Sequence, residues 1–307
     1  MKPPNTEVIK NTNPFGKVFL VGAGPGAADL ITVRGANLLA KADVVFHDAL
    51  VEPEMLALCP QAEKVAVGKR CGKLSSAQQF INKRLVDAAK KYQIVVRLKG
   101  GDPMLFGRAD EEIIALKDAG VEVEVVPGIT AALAGAASIG QSLTLRGVSR
   151  SVAFVTLAQA TENANHGSAV TLQENITQEK TNHQPIRNPS ADTLVYYMGR
   201  KDAANIAKQL IAENNPHHKN TPVHILEAVS TSRERLWSST LEQLAQGKAN
   251  DWFNSNSPAL IMVGEALRAK VEEQESVRIN SGFDSSSTEI NDCLQNSQIL
   301  TNGRRSA

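Results

Sequence analysis

Short apolar runs rich in valine recur along the chain from Lys17 onward. They read K-V-F-L-V-G, D-V-V-F-H, K-V-A-V-G, I-V-V-R-L and E-V-E-V-V. Runs of this length and composition are typical of strands that are buried on both faces. The chain from 16 to 157 is therefore expected to supply five strands to one domain.

Helical patterns separate these strands. Asp29 is the expected N-cap of a helix that runs to about Lys41, and Gly120 is the expected stop of a helix over 109–119. Ser76 with Gln79 fits a capping box. The apolar face expected after this box consists of Phe80, Ile81, Leu85, Val86 and Ala89. Strands separated by helices predict an α/β fold with a largely parallel sheet.

A second ordered block follows a polar stretch. T-L-V-Y-Y-M-G, T-P-V-H-I-L-E and P-A-L-I-M-V-G are expected strands, and 202–214 is an expected helix with Ile206, Leu210 and Ile211 inward. The predicted organisation is a disordered tail at 1–15, an N-terminal α/β domain at 16–157, a polar insert at 158–191, a C-terminal α/β domain at 192–267 and a disordered tail at 268–307.

Composition narrows the class of protein. The formal net charge is +1, which argues against nucleic acid as the main partner. Cys59, Cys71 and Cys293 are far apart and suit a reducing compartment, and the six histidines form no metal-ligand pattern. The start has no apolar signal-peptide region, and no run is long enough for a membrane span. We therefore expect a soluble cytoplasmic protein without a metal site.

The first strand ends in a glycine loop, F-L-V-G-A-G-P-G-A-A-D-L. Gly22, Gly24 and Ala27 match a dinucleotide-binding fingerprint loosely. Asp43 has the spacing of a ribose-binding acid, but it begins the next strand, and Pro25 removes a backbone donor from the loop. The loop alone is weak support for a nicotinamide-dependent oxidoreductase.

Two more strands end in loops built from small residues. They read V-V-R-L-K-G-G-D-P-M-L-F-G-R and V-V-P-G-I-T-A-A. Open α/β sheets bind ligands at the carboxyl ends of their strands, and glycine lets the backbone approach a ligand closely. Neither loop combines a lysine with a row of N–H donors at a helix start, so a phosphate ligand is not expected.

Taken together, V-G-A-G-P-G, V-V-R-L-K-G-G-D-P, V-V-P-G-I-T-A-A and Y-M-G resemble the tetrapyrrole (corrin/porphyrin) methylase family. The resemblance covers 17–156 and 193–264. It implies a homodimer that binds S-adenosyl-methionine, the methyl donor, in a cleft between two α/β domains, without a metal. It also implies two methyl transfers to uroporphyrinogen III, through precorrin-1 to precorrin-2, in sirohaem or cobalamin biosynthesis.

The resemblance assigns roles to individual residues. The cofactor-binding set is Pro25, Gly100, Gly101, Asp102, Leu105, Thr130, Ala131, Met198 and, through its backbone, Val229. Asp48 matches the family's proton acceptor and Lys69 its proton donor. Singly, each of these residues also has an ordinary interpretation as a turn, cap, core or surface residue.

A substrate with several carboxylates requires fixed cations, and the planar fork of arginine suits carboxylates. Arg108, directly after the G-D-P-M-L-F-G loop, is the first candidate and is counted among the catalytic residues. Arg70, Arg146 and Arg150 are further candidates for substrate binding.

The chain departs from the family pattern on the expected substrate side. The departing residues are Ala49, Lys73, Leu74, Gln141, Ser142 and Leu145. Methyl transfer is therefore better supported than the identity of the acceptor. Three alternatives stay open: a methylase of this fold with another acceptor, a nicotinamide-dependent oxidoreductase, and a non-catalytic binding protein.

Overall fold

A computed structural model describes residues 15–67, 74–156, 188–212 and 216–268. The strands are β1 (Lys17–Gly22), β2 (Val44–His47), β3 (Glu63–Ala66), β4 (Ile94–Lys99), β5 (Val123–Val126), β6 (Val152–Thr156), β7 (Thr193–Tyr197), β8 (Pro222–Glu227), β9 (Arg235–Thr240) and β10 (Ala259–Gly264). The helices are α1 (Val33–Leu39), α2 (Pro53–Leu56), α3 (Leu74–Ala89), α4 (Ala109–Asp118), α5 (Ala131–Ser138), α6 (Ala203–Ala212) and α7 (Leu241–Ala245).

The first sheet has the strand order β3-β2-β4-β1-β5, and all of its pairs are parallel. The five valine-rich runs form these strands, so the prediction of a parallel α/β sheet is confirmed. β1 and β4 are neighbours in this order. From β1 the chain continues past β4 to β2, and from β4 it continues past β1 to β5, so the two connections run in opposite directions along the sheet. Because β1 and β4 are parallel neighbours, the loops that follow them lie side by side at the carboxyl edge of the sheet, where open α/β sheets bind ligands.

Helices cover both faces of the first sheet. Leu85 of α3 and Leu116 of α4 pack on the face that carries Val95. Leu39 of α1 and Met55 of α2 pack on the face that carries Val96. Because side chains alternate along a strand, Arg97 and Lys99 share the face of Val95, towards α3 and α4.

The second sheet has the order β6-β7-β10-β8-β9, in which only the β6–β7 pair is parallel. The sequence patterns did not predict β6, β9 or α7. β6 lies inside the predicted N-terminal domain, 16–157, yet it is hydrogen-bonded to β7 in the second sheet. The domain limits stay a prediction, but the strand at 152–156 belongs with the later strands.

Several local predictions were wrong. Thr32 caps α1 by accepting a hydrogen bond from Gly35 N–H at 3.2 Å, because Asp29 lies in a separate 3-10 turn before it. Ser76 lies inside α3 and does not precede it.

Two residues predicted on buried helix faces are exposed. Phe80 of α3 is 52% exposed and stacks with Arg84, and Ile211 lies at the margin of the buried face of α6. In contrast, α4 ends before Gly120, which has a φ of 74°, as predicted.

The predicted tails at 1–15 and 268–307 and the insert at 158–191 lie almost entirely outside the described residues. Within the part of the chain that the structure describes, no helix is long and apolar enough to cross a membrane.

Candidate functional site

Five loops, each at the carboxyl end of a strand, build the candidate site. We call them the strand-end loops, and they span 23–27, 100–108, 127–130, 198–199 and 228–231. Gly24 N–H donates to the Gly101 carbonyl at 3.1 Å, and Gly101 N–H donates to the Gly24 carbonyl at 2.7 Å. These glycines have φ values of 78° and 68°, a region that favours glycine. The two longest glycine motifs of the sequence therefore form one bridged structure.

The loop after β5 is fastened to this bridge by Asp102. Its carboxylate accepts a hydrogen bond from Gly128 N–H at 2.9 Å and another from Met104 N–H at 2.8 Å. A Cβ atom on Gly128 would lie 2.3 Å from the Gly101 carbonyl oxygen and 2.8 Å from the Gly22 Cα. The backbones can approach this closely only because Gly22 and Gly128 have no Cβ atom.

Tyr197, the last residue of β7, joins the second sheet to the first. Its hydroxyl lies 2.6 Å from Thr130 Oγ1 and accepts a hydrogen bond from Ala132 N–H at 3.1 Å. Its ring contacts Phe106, with the two ring centroids 5.2 Å apart. Burial raises the pKa of the Tyr197 phenol, which keeps the hydroxyl neutral.

The loop after β8 packs against the proline-bearing turn after β1. Ala27 N–H donates to Ser230 Oγ at 3.1 Å. A Cβ atom on Gly26 would lie 2.8 Å from the Val229 carbonyl oxygen. Pro25 and Val229, both members of the predicted cofactor-binding set, are therefore held on facing turns.

Left-handed backbone is concentrated in the strand-end loops. Among the described non-glycine residues, a positive φ occurs only at Phe106, Arg108, Met198, Ala228 and Ser230. Such a conformation costs about 1–2 kcal/mol for an L-residue, and strain of this kind clusters at ligand sites. Met198 is also 55% exposed, although a methionine usually fills a core.

All nine residues of the predicted cofactor-binding set lie on these loops or, for Ala131, at the first residue of α5. The loops present small residues, apolar side chains and backbone groups, so they suit a nucleoside better than a pyrophosphate. The contacts of each residue with a cofactor stay predictions.

The ribose-binding role considered for Asp43 does not fit the structure. Its carboxylate accepts hydrogen bonds from Gln93 N–H at 3.0 Å and Ile94 N–H at 2.8 Å. Because β2 and β4 are parallel, this places Asp43 at the amino ends of the strands, away from the glycine loops. A dinucleotide bound at the loops would not meet it.

Asp48 follows β2 and belongs to a group of ionised side chains, most of them buried, that we call the buried charge network: Asp48, Arg97, Lys99 and Glu112. Arg97 Nη2 lies 2.5 Å from Asp48 Oδ1, and Arg97 Nε donates to Glu112 Oε1 at 3.1 Å. Lys99 Nζ donates to both carboxylate oxygens of Glu112 at 3.1 Å. The Glu112 side chain is 0% exposed and that of Asp48 is 31% exposed, so the network runs from the interior towards solvent.

Burial lowers the pKa of the Lys99 ammonium, and the nearby charge of Arg97 lowers it further, while Glu112 acts in the opposite direction. Lys99 is the last residue of β4 and directly precedes the Gly100 loop. The buried charge network therefore connects Asp48, after β2, with the start of the strand-end loop after β4.

Arg108, which directly precedes α4, already engages a carboxylate of that helix. Its Nε and Nη2 donate to the two oxygens of Glu111 at 2.6 and 2.7 Å. Both side chains are more than 40% exposed. A substrate carboxylate at Arg108 would therefore share or replace the contact with Glu111, and the role of Arg108 stays a prediction.

Of the remaining predicted cations, the structure describes only Arg146 and Arg150. Lys69 and Arg70 lie outside the described residues. Arg146 and Arg150 are exposed on the loop between α5 and β6, where Leu145 and Ser149 pair as an isolated bridge. No hydrogen bond or ion pair among the described residues joins either side chain to the strand-end loops.

Sequence reasoning missed Arg97, Lys99, Glu112 and Tyr197. A signal for the first two was present, because cations two positions apart in a buried strand point to one face and require a buried partner. Glu112 and Tyr197 carried no comparable signal. Their roles depend on which elements pack together.

Among the described residues, no group of three or more histidine, cysteine, aspartate or glutamate side chains is arranged to hold a metal ion.

Comparisons with known proteins identify the family to which the chain is similar. The family model for Tetrapyrrole (Corrin/Porphyrin) Methylases matches residues 17–245. The chain is 39% identical over 253 residues to the uroporphyrinogen-III C-methyltransferase of Methanocaldococcus jannaschii, covering 82% of this chain and 97% of that protein. It is also 39% identical over 265 residues to a siroheme synthase of a Psychrobacter species, covering 85% of this chain but only 50% of that protein. The chain thus spans about half the length of that relative.

Solved structures show the same fold. Native uroporphyrin III C-methyl transferase from Thermus thermophilus matches with a TM-score of 0.66 at 36% identity, covering 85% of this chain and 98% of that chain. The Thermus enzyme complexed with S-adenosyl-homocysteine matches with a TM-score of 0.64 at 37% identity, covering 82% and 94%.

Proposed function

The chain belongs to the tetrapyrrole methylase family, and from this membership we propose that it transfers methyl groups from S-adenosyl-methionine to uroporphyrinogen III. Two transfers, through precorrin-1, would give precorrin-2, a precursor of sirohaem and cobalamin. Relatives that share 39% of their residues over most of this chain carry the name of this activity. The observation in this chain that supports it most strongly is the concentration of left-handed backbone in the strand-end loops.

The loops fit the methyl donor. The contact of Gly22 and Gly128 with each other and with the Gly101 carbonyl leaves no room for a side chain on either of the two, so the backbone itself forms the wall. Pro25 and Val229 face each other across the turns, and the exposed Met198 adds an apolar surface. S-adenosyl-methionine, when bound, supplies an electrophilic methyl group on a sulfonium.

The chain's own residues would hold and orient this co-substrate. Gly100, Gly101 and Asp102, with Leu105, would contact it from one side, and Thr130 and Ala131 from another. Tyr197 fixes Thr130 by a hydrogen bond, so this wall is set before binding. Orientation of two reactants before reaction can contribute up to about 7–11 kcal/mol to a barrier reduction.

Asp48 would accept the proton that the macrocycle must lose, from a position other than the methylated carbon, once methyl transfer has made it cationic. A carboxylate that is partly exposed and held by Arg97 is suited to accept a proton at a fixed position. Arg108 would bind a propionate or acetate of the substrate through its fork. Lys69 would donate a proton, as the family pattern implies.

A second candidate is a methyltransferase of the same family with another tetrapyrrole acceptor. It is favoured by the departures at Ala49, Gln141, Ser142 and Leu145, all on the expected substrate side. A cobalt precorrin-4 methyltransferase also matches this fold, with a TM-score of 0.62 at 25% identity. The donor loops are common to both candidates, so only the acceptor differs.

We also propose that the protein works as a homodimer in the cytoplasm. An open, mostly apolar groove of about 560 Å³ lies between α5, the turn after it and β6. Leu133 and Phe154 on its border are 54% and 37% exposed, which is unusual for large apolar side chains in a monomer. Light scattering across a range of protein concentrations would test for the dimer.

One experiment tests the proposed activity. Purified protein is incubated with S-adenosyl-methionine and fresh uroporphyrinogen III, and the products are analysed by mass spectrometry and NMR. Two added methyl groups at the positions of precorrin-2 are expected. Methylation of another tetrapyrrole but not of this one would favour the second candidate, and no methylation of either would contradict both.

A further inference from the structure

We propose that Arg97 is a positioning residue for methyl transfer, because it holds the Asp48 carboxylate from the interior of the first sheet. This inference rests on the proposed function, in which Asp48 accepts a proton. The family motif by itself does not distinguish a positioning role of Arg97 from a structural role. The hydrogen bonds of its guanidinium group do distinguish the two.

All three nitrogens of the Arg97 guanidinium are engaged. Nε donates to Glu112, Nη1 donates to the Leu98 carbonyl at 3.1 Å and to the Phe46 carbonyl at 3.5 Å, and Nη2 lies 2.5 Å from Asp48 Oδ1. Two of these partners are backbone atoms of adjacent strands, because β2 pairs with β4. The guanidinium is therefore fixed in orientation, and it fixes Oδ1 of Asp48 in turn.

The network extends further than stability requires. Burying ionised groups is costly, and apolar replacements of similar volume are often at least as stable. Glu112 is fully buried and is paired by both Arg97 and Lys99, so the interior contains one more cation than it needs for Glu112. The additional positive charge is directed at Asp48, the one member that is substantially exposed. This arrangement is expected if the network serves the carboxylate at the surface.

A double-mutant cycle separates positioning from stability. The single-turnover rate constant of methylation and the KM for the tetrapyrrole are measured for the wild type, Asp48→Asn, Arg97→Lys and the double variant. Lysine keeps the buried positive charge but lacks the planar guanidinium group, so it cannot reproduce the hydrogen bonds of Arg97. We expect Arg97→Lys to lower the rate constant by at least about tenfold in the wild-type background, with KM changed less than about twofold. In the Asp48→Asn background the same change should cost less than about twofold, because the group being positioned is gone.

Arg84→Lys is the matched control. Arg84 is a half-buried arginine of α3, with its guanidinium carbon 5.5 Å from the centroid of the Phe46 ring of β2. It should leave the rate constant within about twofold of the wild type, because no hydrogen bond or ion pair among the described residues joins Arg84 to Asp48 or to the rest of the buried charge network. Calorimetric binding of S-adenosyl-homocysteine shows that each variant has folded. If Arg97→Lys does not fold, the charge-balanced pair Arg97→Gln with Glu112→Gln replaces it in the cycle.

The outcomes distinguish the two proposals. An equal loss of rate in both backgrounds would overturn positioning by Arg97 while leaving Asp48 as the proton acceptor. No loss of rate in Arg97→Lys would also overturn it. Full activity in Asp48→Asn would instead remove the role of Asp48 and, with it, the basis of this inference.

Discussion

Replacing Tyr197 with phenylalanine removes one hydroxyl that connects the two sheets. This hydroxyl lies 2.6 Å from Thr130 Oγ1 and accepts the Ala132 N–H at 3.1 Å. The phenylalanine ring would keep the contacts with Phe106 and Phe154. The substitution therefore tests the two hydrogen bonds with little change in packing.

The expected cost follows from the groups that lose their partner. Thr130 is 9% exposed and Ala132 is 0% exposed, so both remain largely shielded from water. A buried polar group without a partner costs about 1–3 kcal/mol. Because the threonine hydroxyl can rotate towards another acceptor, we expect a total loss of about 2 kcal/mol in the free energy of unfolding. Since Thr130 borders the proposed donor site, affinity for S-adenosyl-homocysteine should fall by up to about tenfold, which corresponds to about 1.4 kcal/mol.

Urea unfolding followed by circular dichroism measures the first quantity, and calorimetric titration measures the second. Tyr92→Phe is the control, because the Tyr92 hydroxyl is also hydrogen-bonded, to Lys91 and Glu63, but on the exposed surface. Surface changes of this kind stay within about 0.5 kcal/mol. If Tyr197→Phe destabilises the protein no more than Tyr92→Phe does, the hydroxyl does not hold the sheets together and the reasoning is wrong.

Three further predictions concern the substrate, the loops and pH. Arg108→Ala should lose most activity at sub-saturating tetrapyrrole, while affinity for S-adenosyl-homocysteine stays within about twofold. The reason is that the Arg108 guanidinium is proposed to bind a carboxylate of the tetrapyrrole and not the methyl donor. Gly128→Ala should lower the free energy of unfolding by about 1–3 kcal/mol and weaken S-adenosyl-homocysteine binding, because the new Cβ would lie 2.3 Å from the Gly101 carbonyl oxygen. Burial lowers the pKa of His217 below its ordinary value of 6.5, so below that pH the unfolded state binds more protons than the folded state. Stability should therefore fall as the pH drops below about 6.5, and His217→Gln should reduce this pH dependence, measured by urea unfolding at several pH values.

Matched variants make these predictions specific. Gly140→Ala tests left-handed backbone alone, because Gly140 has a φ of 65° and open space around its Cβ position; a loss as large as that of Gly128→Ala would remove the steric argument. His218→Gln alters an adjacent, exposed imidazole, and an equal change in pH dependence would mean that His217 is not the responsible group. Retained turnover by Arg108→Ala at low tetrapyrrole concentration would rule out its proposed role.

Local patterns identified much of this fold correctly. The valine-rich runs predict the five strands of the first sheet because strands in the middle of a parallel sheet are buried on both faces and favour apolar side chains at most positions. Gly24 and Gly101 could be recognised as loop residues because glycine tolerates left-handed backbone. Patterns failed where the cause was not local: β9 has an exposed, polar edge sequence, and β6, whose side chains are at most partly buried, was not predicted as a strand.

By itself, the sequence determined the strand runs, the glycine turns and the family to which the chain belongs, because local burial and backbone preference are properties of neighbouring residues. Only the tertiary structure decided that Asp48 meets Arg97, 49 positions away, and that Tyr197 meets Thr130, 67 positions away. These pairs depend on strand order and on the packing of one sheet against the other. Strand order and packing are set by the whole chain. Two side chains that are far apart in the sequence can form a contact only when the folded core brings them next to each other.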